Sequence, residues 1–91
     1  MQATPKDSSA FEAAKDCLAY WIDIHNGMIA DECSVPTPDV ELLASLRTER
    51  SKLARLRAAL RVADSADIAR VLGEYGEMLS VWRDQHHPLP A

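Results

Sequence analysis

The chain predicts an all-α protein, an antiparallel three-helix bundle or extended helical hairpin, and three observations carry that expectation. Only three of 91 residues are Gly while fourteen are Ala, and 47% are apolar, a mixture that enters helices at little cost and is too apolar for wholesale disorder. Apolar residues recur at 3-4 spacing in three separate stretches. Breakers separate those stretches: SVPTP at 34–38, and Asp64-Ser65-Ala66-Asp67.

The first helix is expected over about 9–32. Ser9 with Glu12 three residues on reads as a capping box. Phe11, Ala14, Leu18, Trp21, His25 and Met28 then line one face. Asn26-Gly27 is a stop signal, but Met28 and Ile29 stay in phase, so the helix should run on to about Glu32. A second helix is expected over 38–62, with Thr37 as N-cap, Pro38 at the first helical position, and Asp39 and Glu41 behind it. Leu42, Leu46, Glu49, Leu53, Leu56, Leu60 and Ala63 repeat at heptad spacing, a coiled-coil seam with one polar guest.

Ile68, Val71 or Leu72, Tyr75, Met78 or Leu79, and Trp82 mark a third helix over 65–87, stopped by Pro88. Gly73 and Gly76 beside Ala69 and Ser80 predict either a kink or a flat ridge. Three rods of similar length with short connections favour up-down-up packing in a single domain, residues 1–91, with tails at 1–8 and 88–91.

No signal-peptide core and no membrane-length apolar run is present, so a cytoplasmic location is expected. The Arg- and Ala-rich composition suggests a bacterial source. Cys17 and Cys33, sixteen residues apart on one helix, would lie ~24 Å from each other, too far for a disulfide, and are read as free thiols.

Charge is unevenly spread. Residues 1–36 hold two basic and six acidic groups, 37–63 six basic and three acidic, and 64–91 two basic and five acidic. On a helical wheel Arg47, Arg50, Arg57 and Arg61 share an arc of roughly 80° bordering the leucine seam. Flanking charges of that kind set helix orientation, with Glu12, Asp16, Asp23, Asp67, Glu74 and Glu77 as counter-charges. The alternative, an accessory nucleic-acid binder using those four arginines, is weakened by a pI of about 5.2 and by a second helix without aromatic, Asn or Gln residues.

The first helix is apolar over roughly 200° of its wheel, more than the ~100° an ordinary surface helix buries. Either it packs against both other helices or it meets another chain. Cys17, Tyr20, Trp21, Ile24 and Met28 are the expected contact surface, for a second copy in a homodimer or for a protein target. Regulators, chaperone-like proteins and inhibitors fit this description.

His25, mid-pattern, reads as a core or interface histidine with one satisfied nitrogen. Cys33, His86 and His87 could meet if the ends of the first and third helices lie together, but no C-x-x-C or H-x3-H spacing supports a metal site. Nucleophile elbows and phosphate loops are missing. No enzyme activity, cofactor, metal, small-molecule substrate or membrane association is expected.

Overall fold

A computed structural model of the chain describes residues 5–86, with side chains from residue 9 onward. Three α-helices and no strand occur among the described residues: α1 (Pro5–Cys33), α2 (Val40–Ala59) and α3 (Ser65–His86). The all-α, three-helix expectation holds. None of these helices is long and apolar enough to cross a membrane.

The helix limits differ from the sequence reading for identifiable reasons. α1 is already helical at Pro5, where a missing N–H and a fixed φ suit a first turn. The Ser9–Glu12 pair therefore lies inside the helix and caps nothing. Residues 1–4 and 88–91 of the expected tails lie outside the described residues, as do His87 and the Pro88 stop.

α2 begins at Val40, not Pro38, because Asp39 takes the N-cap position. Its carboxylate accepts the Leu42 N–H at 3.0 Å, and its own N–H is held at 2.8 Å by the Glu32 carboxylate of α1. α2 stops at Ala59 rather than Val62. The chain turns so that Asp64 donates to the Arg61 carbonyl at 3.0 Å and caps α3, its carboxylate accepting the Asp67 N–H at 3.1 Å. α1 runs unbroken through Gly27, and α3 through Gly73 and Gly76.

The described residues form two compact units: 5–17 with 60–86, and 18–59. In the first, Ala14 and Cys17 of α1, the interhelical Leu60, and Ile68, Val71 and Leu79 of α3 are buried. Of the two doublets on α3, Val71 and Leu79 turn inward, while Leu72 is half-buried and Met78 exposed. In the second, Leu18, Trp21, Ile24 and Ile29 of α1 pack with Leu43 and Leu53 of α2.

Unit 18–59 is a helical hairpin whose turn is tied by short bonds. Ser34 N–H and Oγ–H both reach the Asp31 carbonyl, at 3.2 and 2.8 Å, closing α1 through a carbonyl the helix leaves open. Arg50 Nη1 of α2 donates to Asn26 Oδ1 of α1 at 2.9 Å. That bond and the Glu32–Asp39 bond fix the antiparallel register of the two helices.

Candidate partner-binding groove

Which face α2 turns inward decides what the hairpin leaves outside. The heptad reading put Leu42, Leu46, Glu49, Leu53, Leu56 and Leu60 on the seam. Of these, Leu46, Leu53, Leu56 and Leu60 are buried or half-buried, as are Leu43, Arg50 and Arg57, whereas Leu42 and Glu49 are exposed. Leu43, Leu46, Arg50, Leu53, Arg57 and Leu60 keep 3-4 spacing, so the inward face of the helix extends toward its arginine flank. Half-burial of Arg50 and Arg57 fits aliphatic stems lying along the edge of the seam, beside a half-buried Leu56. Leu42 is left 43% exposed.

Leu42 does not stand alone. With Leu46, with Met28, Asp31 and Glu32 of α1, and with Val35 of the turn, it lines an open groove of about 300 Å³. Each element has its reason to be there. Met28 sits a turn after the buried Ile24 on α1 and is itself half-buried. Val35 is carried past the helix end by the Ser34–Asp31 closure. The Asp39 cap fixes the phase of α2, and with it Leu42 and Leu46. The walls are apolar, and the two charged groups on the rim are both carboxylates. No lining residue is basic.

The hairpin therefore has two unlike flanks. At 100° per residue, Asn26 lies roughly 160° round α1 from Met28, while Arg50 follows Leu46 by one turn and about 40° on α2, so the Arg50–Asn26 bond leaves the groove on the α1 side and lies one turn beyond it on α2. One flank carries arginine, the other carboxylate and exposed aliphatic surface.

The five residues expected to contact a partner divide by burial. Cys17, Trp21 and Ile24 are buried within the chain itself, Met28 is half-buried in the groove wall, and Tyr20 is 42% exposed. The excess apolar width of α1 thus serves packing against α2 and α3 to a large extent. Of that width, Tyr20 stays exposed and Met28 half-buried. Val35, Leu42 and Leu46 were not on the expected surface. The adjacency of Leu42 and Leu43 was the one signal that the seam could start at either.

The four arginines also divide. Arg47 and Arg61 are exposed, whereas Arg50 and Arg57 are half-buried. Arg50 meets a neutral amide rather than one of the expected carboxylates. The ion pair seen between Arg70 and Asp67, at 2.6 Å, lies within α3 and is solvent-exposed; such pairs contribute about 0–1 kcal/mol.

Polar chemistry elsewhere is local. His25 Nδ1–H donates to the Trp21 carbonyl at 2.8 Å with its ring edge-on to the indole, so one of its nitrogens is satisfied. His86 repeats the hydrogen bond on α3, Nδ1–H to the Trp82 carbonyl at 2.9 Å, here with stacked rings 4.1 Å apart. Cys17 is buried and Cys33 exposed, both as free thiols. Burial raises the Cys17 pKa above its ordinary value, against a smaller opposing effect of the Arg83 guanidinium. No group of three His, Cys, Asp or Glu side chains able to hold a metal occurs among the described residues, and His87 of the Cys33–His86–His87 idea lies outside them. Comparison with family models, curated proteins and solved structures finds no match to this chain.

Proposed function

We propose that the protein is a helical protein–protein interaction module, with the groove of the 18–59 hairpin as its contact surface. The observation that carries this reading is the open groove with Met28, Val35, Leu42 and Leu46 in its walls. Aliphatic side chains held around a concavity gain from being covered, at about 25 cal/mol per Å². Tyr20 extends the surface along α1, since Tyr20, Ile24 and Met28 are successive turns of one flank. A regulator that sequesters another protein, a chaperone-like factor or an inhibitor would use such a surface. Free thiols at Cys17 and Cys33 suit a reducing cytoplasm.

The nucleic-acid alternative is less well supported, because Arg50 and Arg57 are half-buried and Arg50 is engaged by Asn26, which leaves them less open to phosphate than Arg47 and Arg61. The test of the contact surface is positional. A photo-crosslinking residue at position 42, compared with one at the exposed Ala44 roughly 200° further round α2, should trap a protein adduct in cells at 42 and not at 44. Equal adducts at both positions, or none at either, would remove the groove from consideration.

A further inference from the structure

We infer that the groove is built for a basic amphipathic helix of another protein, not for a second copy of this chain; this rests on the groove being the contact surface. The argument is one of charge. The rim carboxylates Asp31 and Glu32 have no basic neighbour in the lining, and the exposed Asp39 and Glu41 adjoin Glu32 and Leu42. An occupant must fill an aliphatic trough and face the α1 carboxylates Asp31 and Glu32 on its rim. A helix with apolar residues at i, i+3/i+4 and i+7 and Lys or Arg beside them does both.

A second copy offers no such surface. Groove against groove would set carboxylates against carboxylates. The other adjoining exposed aliphatics, Met78 and Val81 on α3, are 53% and 51% exposed and share their flank with Glu74 and Glu77. Val62 stands alone between Arg61 and Asp64. On the arginine flank of α2 the large aliphatics, Leu43 and Leu53, are already buried. Val40, 76% exposed, shares an arc with the exposed Arg47 two turns on, and Val62 adjoins Arg61, so the chain's cations stand beside single aliphatics and not beside a row that could fill the trough.

The test uses the full chain and three labelled synthetic peptides, read by fluorescence anisotropy at low and moderate salt. One is a Leu/Lys helix with Leu at i, i+3/i+4 and i+7, one the same with Glu for Lys, and one the Leu/Lys composition scrambled. The first should bind, with the other two at least ~10-fold weaker, and added salt should weaken it. Asp31→Asn should cost it about two- to fivefold, and the neutral, exposed-site change Leu42→Ser should weaken it further without altering helix content.

Equal binding of the Lys and Glu peptides, both weakened by Leu42→Ser, would retain the groove and overturn its preference for cations. No Lys-peptide binding by a dimer that Leu42→Ser splits would make a second copy the occupant. No binding by a monomer would overturn the inference outright. Lys-peptide binding indifferent to both variants would place the peptide elsewhere, and the groove reading would fall with it.

Discussion

Leu18 and Val71 are the two largest side chains with essentially no exposure, one in each compact unit. Removing either leaves a cavity that neighbours fill only in part. Leu18→Ala should lower unfolding free energy by about 2–5 kcal/mol, a large fraction of what a 91-residue chain holds in reserve, and chemical denaturation would measure it. Cys17 makes a different statement. Its folded pKa is raised, so the neutral thiol is the form the fold prefers. That contribution is complete below the ordinary thiol pKa and is lost as pH rises through the higher folded value. The denaturation midpoint should therefore fall at alkaline pH, with a shallower slope in Cys17→Ala. At neutral pH a thiol reagent should modify exposed Cys33 well before Cys17.

Among elements, the glycines of α1 and α3 show how much of a helix can be read in advance. Gly27 was a stop signal and Gly73–Gly76 a kink or ridge, yet all three are ordinary helical residues. A Cβ at any of them would meet nothing within 4 Å. Each Gly→Ala change should stabilise by about 0.5–1 kcal/mol, visible as a raised melting temperature, and a loss of stability at Gly27 would mean its helix is not continuous. The existence and number of helices were legible because periodicity reports burial directly. The inward face of α2 was not fully so. Leu42 and Leu43 are both apolar, and half-buried arginines, which binary patterning counts as surface, widen the inward face toward Leu43. Since the groove depends on that face, Met28 alone of its aliphatic wall was named from sequence as a contact residue, Leu42 and Leu46 being placed on the seam. The start of α2 was missed for a related reason: Thr37-Pro38 is a good local signal, but the Glu32 bond to the Asp39 N–H comes from another helix. Asp39→Ala removes the cap and should cost about 1 kcal/mol, with α2 amides fraying first in hydrogen exchange.

For the whole molecule, net charge of −4 and the half-burial of Arg50 and Arg57 predict no retardation of DNA or RNA even at low salt, where phosphate contacts are strongest. A shift abolished by Arg47→Gln with Arg61→Gln would restore the nucleic-acid reading. The two units also differ in how the chain reaches them. Unit 18–59 is one continuous stretch, whereas the other joins residues 5–17 to 60–86 across everything between. Local pairing forms fast and distant pairing waits on loop closure, so pulsed hydrogen exchange during refolding should protect α2 before α3. On a ribosome the same order would be enforced by synthesis itself. Every residue lining the groove has been made once Leu46 is in place, so the binding surface can be assembled, and a client engaged, while α3 is still being translated.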